Sequence, residues 1–162
     1  MGNYYLISSK LNQGIVIDFR MQTEPNTRLQ VFTVNRPATD NQLWEFVPDP
    51  AGSSCYFIKS KLGLYVFDVK GGSATSKGTP LQVHTQNYAG FTDNQLWEFV
   101  PDPGASGYSF IKSKLGDYVI GIKGASATPR TELQLLPQSP TGQADHQLWN
   151  FTPGPGAAST RR

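Results

Sequence analysis

One phrase occurs three times along this 162-residue chain, and it constrains the fold more than any other feature. It reads DNQLWEFVPDP at residues 40–50 and again at 93–103, and DHQLWNFTPGP at 145–155. Self-similarity at a fixed period of about 50 residues indicates a fold assembled from copies of one unit. We therefore predict one domain over residues 1–153, followed by a flexible C-terminal tail at 154–162. Its three repeats are predicted at 4–50, 55–103 and 107–153.

Each repeat contains four apolar runs of strand length that are separated by turn residues. In the second repeat, the predicted strands cover 56–61, 65–70, 80–85 and 95–100. β-Branched and aromatic residues dominate these runs, and the 12 prolines and 16 glycines without a collagen period argue against long helices. Three four-stranded units cannot each bury an apolar face alone. The sequence therefore predicts an all-β fold in which the units share a core around a pseudo-threefold axis.

Alternation along the strands predicts which side chains are buried, because successive residues point to opposite faces. Leu29 and Val31 share one face of their strand, and Gln30 and Phe32 share the other. In each Gln-x-Trp strand, we expect the Gln, the Trp and the following Phe on one face. The tryptophans are expected to be almost fully buried, with the indole N–H and the Gln amide bonded to neighbouring backbone.

Composition and residue spacing argue against several classes of function. The net charge of +2 is small and dispersed, which is not typical of nucleic-acid binding, and no apolar run approaches the roughly 18 residues of a membrane span. Neither metal-ligand spacing nor a catalytic constellation occurs, so we predict a protein that is not an enzyme and needs no metal or cofactor. Cys55 is the single cysteine and is expected to be a small buried or semi-buried apolar residue. Without an intrachain disulfide or a secretion signal, the expected location is the cytoplasm, with non-classical release as the alternative.

Three units of about 50 residues, each ending in a Gln-x-Trp strand in register, resemble the ricin B-type (R-type) lectins, which are β-trefoils. The resemblance covers residues 4–153, and the lack of disulfides is similar to the cytoplasmic fungal and bacterial members. In that family a repeat can carry one shallow sugar site. The site combines an Asp on the second strand, a Gln and an aromatic residue on the third, and an Asn just before the Gln-x-Trp.

The differences between the repeats predict which of these sites bind. The matching residues of the first two repeats are Asp18, Gln30, Phe32 and Asn41, and Asp68, Gln82, His84 and Asn94. In the third repeat, the Asp, aromatic and Asn positions are Gly121, Leu136 and His146, although Gln134 remains. We therefore predict sites in the first and second repeats and none in the third. The sequence leaves open whether Gln30 and Gln82 touch a ligand or only brace the aspartates.

These residue types suit a sugar ligand. A carboxylate can accept two vicinal hydroxyls, and a hydrogen bond to a charged group contributes about 1.5–3 kcal/mol. An Asn side chain both donates and accepts, and a ring offers a flat surface to the C–H face of a galactose-type sugar. The predicted function is a lectin, or agglutinin, for terminal galactose, N-acetylgalactosamine or disaccharides containing them. A millimolar dissociation constant corresponds to only about 4 kcal/mol. Useful avidity towards glycans or glycoconjugates would then come from paired sites or from a homodimer.

Two alternatives stay open at the level of sequence. A β-trefoil can also act as a protease inhibitor through an exposed loop, and the segment 85–92 with Tyr88 and Phe91 is the candidate. A structural interaction module is the third possibility. The joint change of Asp, aromatic and Asn between repeats favours the lectin, because an inhibitor gives no reason for it.

Overall fold

The computed structural model describes residues 3–20, 26–72 and 76–154, and it contains one continuous sheet of 12 strands. The first repeat holds β1 (Tyr5–Ser9), β2 (Ile15–Asp18), β3 (Gln30–Thr33) and β4 (Trp44–Pro48). The second holds β5 (Tyr56–Ser60), β6 (Tyr65–Val69), β7 (Leu81–Thr85) and β8 (Trp97–Pro101). The third holds β9 (Ser109–Ser113), β10 (Tyr118–Ile122), β11 (Leu133–Pro137) and β12 (Trp149–Pro153). Short 3₁₀ turns cover Asp40–Gln42, Asp93–Gln95, Lys123–Ala125 and Asp145–Gln147.

Six of the strands close into a barrel, and the other six form three hairpins. The ring runs β1, β4, β5, β8, β9 and β12, and β12 pairs back onto β1. The hairpins β2–β3, β6–β7 and β10–β11 are joined to one another by the bridges Arg28↔Gln82, Gln30↔Glu132 and Pro80↔Gln134. This arrangement is a β-trefoil, and it confirms the predicted all-β fold of three four-stranded repeats.

The core is built from the residues that recur in every repeat. Trp44, Trp97 and Trp149 are each 0% exposed, as predicted. Their indole N–H groups donate to the backbone carbonyls of Ile17, Phe67 and Ile120 at 3.0, 3.4 and 3.2 Å. At the barrel axis, three phenylalanines pack edge to face with ring centroids 5.0, 5.2 and 5.1 Å apart: Phe46, Phe99 and Phe151. Leu29 and Val31 are also buried, and Gln30 and Phe32 lie on the partly exposed face.

One prediction about the Gln-x-Trp segment was wrong. The Gln does not share a strand face with the Trp, because it lies in the 3₁₀ turn before the strand. There the Gln42 Nε2 donates to the Thr33 carbonyl at 3.0 Å, and its Oε1 accepts the Asn35 N–H at 2.8 Å. The Gln amide therefore ties the end of β3 to the turn, which confirms its predicted bond to neighbouring backbone. Consistently, β8 begins at Trp97 rather than at the predicted residue 95.

The ends of the domain meet beside β1. Gly154 is buried and donates its N–H to the Tyr4 carbonyl at 2.7 Å. The rest of the predicted tail, residues 155–162, lies outside the described residues. Cys55 is buried, as expected. Within the described ranges, no helix has the length and apolar character needed to cross a membrane.

Candidate functional site

The first repeat holds a buried carboxylate at the junction of β2, β3 and the following turn. Asp18 ends β2 opposite Gln30, and only 2% of it is exposed. Its Oδ1 accepts the Gln30 Nε2 at 2.9 Å, and its Oδ2 accepts the Gln42 Nε2 at 3.1 Å. Asn41 Nδ2 lies 3.5 Å from Oδ2. Three side-chain amides therefore orient this carboxylate, and Gln30 does brace it.

The protonation of Asp18 reflects two opposed influences. Burial raises its pKa to about 6, because the charged form loses solvation. The pKa is lowered, to a smaller extent, by hydrogen bonds from Gln30 and Gln42 and by the positive charge of Arg130. The carboxylate is therefore ionised at neutral pH and takes up a proton in mild acid.

Asp18 lies at the wall of an open cleft with a volume of about 220 Å³. The cleft is also lined by Phe19, Arg20, Gln30, Phe32, Asn35, Asn41 and Arg130. Asn41 is held by the Phe19 carbonyl, to which its Nδ2 donates at 2.8 Å, and by the Thr39 hydroxyl, which donates to its Oδ1 at 2.6 Å. The four residues predicted from the first repeat thus share one cleft.

The second repeat contains the same carboxylate network. Asp68 lies opposite Gln82 and accepts its Nε2 at 3.0 Å, and it also accepts Asn94 Nδ2 at 3.1 Å and Gln95 Nε2 at 2.9 Å. His84 takes the place of Phe32 and is partly exposed. The structure therefore brings together Asp68, Gln82 and Asn94, and His84 follows Gln82 by two residues on the same face of β7.

The two networks differ at the Asn before the Gln-x-Trp. Asn94 Oδ1 is buried without a hydrogen-bond partner, whereas Asn41 Oδ1 accepts from Thr39. The backbone accounts for this difference, because Thr39 is extended with ψ 158° and Thr92 has ψ −4°. The second repeat thus carries a free acceptor at the position where the first carries a satisfied one.

In the third repeat, an apolar side chain fills the space of the carboxylate. A Cβ atom at Gly121 would lie 2.6 Å from Leu136 Cδ1 and 3.2 Å from Gln147 Cγ. The Gln147 amide still bonds Pro137 and Ser139, as its counterparts do. His146 is partly buried, and this burial lowers its pKa. The scaffold of this repeat is therefore intact, but its polar network is missing.

Four residues of the first cleft were not singled out from the sequence: Phe19, Arg20, Asn35 and Arg130. The sequence did contain a signal for Asn35. The equivalent residue is an Asn in the second repeat and a Ser in the third (Asn87 and Ser139), so this position changes between repeats as the predicted site residues do. Arg130 belongs to the third repeat and reaches the first only through the threefold packing. Its guanidinium carbon lies 5.6 Å from the centroid of the Phe32 ring. The Arg130 guanidinium therefore lies close to the Phe32 ring, whose surface was expected to face a sugar.

The candidate loop for protease inhibition is exposed, as expected. Tyr88 is 78% exposed and Phe91 is 52% exposed. Asn87 Nδ2 donates to the Phe91 carbonyl at 3.2 Å across the loop. Among the residues with described positions, no group of three or more His, Cys, Asp or Glu side chains could hold a metal ion.

Comparison with known proteins supports the fold at low sequence identity. No protein-family model and no curated protein matches the chain. A designed threefold-symmetric protein, ThreeFoil, is similar with a TM-score of 0.79 and 21% identity, covering 92% of this chain and 97% of that one. A ricin B-like lectin from Macrolepiota procera, solved with lactose, is similar with a TM-score of 0.71 and 20% identity, covering 93% of this chain and 95% of that one. The C-half of an earthworm R-type lectin, solved with GalNAc, is similar with a TM-score of 0.67 and 18% identity, covering 93% of this chain and 98% of that one.

The same fold also occurs as one part of larger proteins. This chain spans 17% of a mosquitocidal holotoxin and 30% of an exo-β-1,3-galactanase from Clostridium thermocellum, with TM-scores of 0.76 and 0.78. The matches thus include lectins, a segment of a toxin and a segment of a galactanase. Together with the twelve-stranded topology, they identify the fold of the chain as a β-trefoil.

Proposed function

We propose that the chain is a non-catalytic lectin that binds terminal galactose or N-acetylgalactosamine, or disaccharides containing them, through the first and second repeats. The observation that carries the proposal is the paired carboxylate network. Asp18 and Asp68 are both buried and both held by three amides, at equivalent places beside a partly exposed ring. A fold that needed this network only for stability would use it in the third repeat too. Leu136 replaces it there.

The network is suited to hydroxyl recognition. Amide donors occupy one position on Asp18 Oδ1 and two on Oδ2, and each carboxylate oxygen has about two acceptor positions. An acceptor position on Oδ1 thus remains for a ligand donor. In the second repeat, the buried Asn94 Oδ1 offers a further acceptor. A sugar hydroxyl or an acetamido N–H is a donor that such oxygens can accept.

The rings account for the proposed sugar class. Phe32 and His84 are partly exposed at equivalent positions of the third strand in the first and second repeats, where an apolar C–H face can pack against them. Galactose-type sugars present such a face. Two of the similar lectins were solved with lactose and with GalNAc, which supports the same class of ligand.

The arrangement does not suggest catalysis. Each of the two sites contains one carboxylate, whereas glycoside hydrolysis usually requires a pair flanking the bond. Binding is expected to be weak, with a dissociation constant near 1 mM, because the first-repeat cleft is open. Two binding sites on one chain would raise avidity towards a surface carrying many glycans.

The test is a glycan array, followed by titration of the purified protein with lactose and N-acetylgalactosamine. Removal of both anchors in the Asp18→Ala, Asp68→Ala variant should weaken binding by about 10- to 100-fold. The matched variant Asp117→Ala, at an exposed aspartate of the third repeat, should bind as the parent does. Undiminished binding by the double variant would refute the site assignment. A silent array together with inhibition in a protease panel would instead favour the loop carrying Tyr88 and Phe91.

A further inference from the structure

Each repeat contributes one residue to the site of the next. One shared position lies three residues before Leu29, Leu81 and Leu133. It is occupied by Asn26, Gly78 and Arg130 in the three repeats. The Asn26 N–H donates to the Val83 carbonyl at 2.7 Å, that of Gly78 to Leu135 at 2.8 Å, and that of Arg130 to Val31 at 2.7 Å. In each case the acceptor residue directly precedes the ring position of the neighbouring site. This position therefore lies beside the neighbouring site in each case, and Arg130 also lines the first-repeat cleft.

The backbone at this position favours residues other than arginine. The φ angles are 72° for Asn26, 91° for Gly78 and 75° for Arg130, all in the left-handed region. Gly and Asn adopt this region readily, whereas a long side chain is disfavoured there. The third repeat thus carries a residue with a conformational cost that its two counterparts avoid. Such a cost indicates a role for the side chain itself.

Among the described residues, the charges that line the first cleft are unbalanced towards the positive. A second depression, of about 370 Å³, adjoins the cleft and shares Arg20, Gln30 and Arg130 with it. Arg28 also lines this depression, but it is paired with Glu132 at 3.4 Å. Within the described part of the chain, Arg20 and Arg130 form no ion pair, and both are exposed. Two guanidinium groups therefore remain against the single carboxylate of Asp18.

We propose that the first-repeat site takes an acidic glycan, in which a galactose-type unit lies against Asp18 and Phe32 and an attached anionic group binds Arg130 and Arg20. The inference rests on the proposed sugar binding and adds the class of glycan. Guanidinium groups recognise carboxylates and sulfates through charge-assisted hydrogen bonds. The anion can thus be the carboxylate of a sialic or uronic acid or a sulfate ester. At the second-repeat site the equivalent place is taken by Asn26 of the first repeat, so this site is expected to prefer neutral glycans.

The test compares lactose with lactose that is sialylated or sulfated on its galactose. Titrations use the Asp68→Ala protein, in which only the first-repeat site remains. We expect at least one of the two acidic sugars to bind roughly five- to tenfold more tightly than lactose. This preference should fall as salt is raised from about 0.05 M to 0.5 M, because exposed charges are screened. Preference for the sialylated or for the sulfated sugar identifies the anion, and equal affinity for all three sugars would overturn the proposal.

The structure provides unusually well-matched variants. Arg130→Asn and Arg130→Gly introduce the residues of the other two repeats, which suit the left-handed backbone, so both proteins should fold. In both variants the acidic sugars are expected to bind no more tightly than lactose does, so the preference measured within each protein disappears. If the preference survives in both variants, or if they bind lactose much more tightly because Arg130 merely covers Phe32, the assignment is wrong.

A reciprocal variant tests whether an arginine at this position is sufficient to give the second-repeat site a preference for acidic sugars. Asn26→Arg in an Asp18→Ala background should give the second site about a threefold preference for the acidic sugars. No gain would contradict the role of this position. Failure of the Asp68→Ala protein to bind any of the sugars, lactose included, would refute the first-repeat lectin site itself. Retained lactose binding without acidic preference would refute only the present inference.

Discussion

The first and third repeats have the same strands and turns, yet they fill the space beneath the outer cleft in different ways. In the first, Asp18 occupies that space and accepts amide hydrogen bonds from Gln30 and Gln42 at 2.9 and 3.1 Å. In the third, the Leu136 side chain occupies it, and Gly121 leaves the room that Leu136 needs. The Gln of the Gln-x-Trp bonds the same backbone groups in both repeats. The comparison therefore separates a scaffold common to all repeats from a polar network that only some carry.

Introducing the carboxylate into the third repeat should give the largest effect. Gly121→Asp places a Cβ 2.6 Å from Leu136 and buries a charge at a site that has packed around an apolar chain. We expect a loss of about 2–4 kcal/mol in the free energy of unfolding, measured by urea denaturation. Gly121→Ala is the control for the added Cβ alone and should cost less. A Gly121→Asp protein as stable as the parent would show that the third cleft is preorganised like the first.

Removing the carboxylate from the first repeat should affect binding more than folding. Asp18→Ala in the Asp68→Ala background is expected to weaken lactose binding by about 10- to 100-fold, as loss of a charged hydrogen-bond partner implies. Stability should change by only about 1 kcal/mol, because the desolvation penalty of the buried ion disappears together with its hydrogen bonds. Titration calorimetry and urea denaturation check the two expectations. Unchanged lactose affinity would refute the role of Asp18.

The pH dependence of binding offers a third test of the first repeat. Asp18 has a pKa of about 6 in the folded protein, above the value of 3.8 for a free aspartate. Between these values the folded state binds the additional proton, so this group favours folding as the pH falls through 6 towards 4. Sugar binding should change in the opposite direction, because a protonated carboxyl is a poorer acceptor.

Lactose affinity in the Asp68→Ala protein is therefore expected to fall about tenfold between pH 7 and pH 5. Titrations at the two pH values measure it. The Asp18→Asn derivative of the same protein should lack this change, whatever its remaining affinity. An affinity that is equal at both pH values would show that the ionised form of Asp18 is not what the sugar contacts.

The second repeat allows the smallest effect to be tested. The His84→Phe substitution gives the second-repeat site the aromatic ring that Phe32 provides in the first. In an Asp18→Ala background, we expect lactose to bind about two- to fivefold more tightly, since aromatic packing adds about 0.5–1 kcal/mol. His84→Ala should shift the affinity in the opposite direction. If neither substitution alters binding, the third-strand side chain does not contact the sugar.

Much of the fold could be predicted from the repeated phrase. The period gave three units, alternation gave the buried faces, and burial of all three tryptophans followed from their recurrence. The 3₁₀ turn before each Trp was missed, because nothing in the run Gln42-Leu43-Trp44 distinguishes a turn residue from a strand residue. The Gln is defined by its tertiary bonds to Thr33 and Asn35, and local patterns do not contain them.

The candidate site was predictable only as far as each repeat provides its own residues. Asp18 and Asn41 could be paired because both belong to the first repeat and change together with their counterparts. Arg130 could not, because its contact with Phe32 depends on how the third repeat packs against the first. Its alignment with Asn26 and Gly78 was visible, but the left-handed backbone that makes an arginine unusual there was not.

We expect sugar to bind to the first two repeats and not to the third. An NMR titration of the isotope-labelled parent protein with lactose, followed through assigned backbone amides, measures this for all three repeats at once. Chemical-shift changes should cluster around Asp18 and around Asp68, and residues near Gly121 and Leu136 should stay unchanged. Shifts of equal size in all three repeats, or shifts confined to the loop at 85–92, would contradict it.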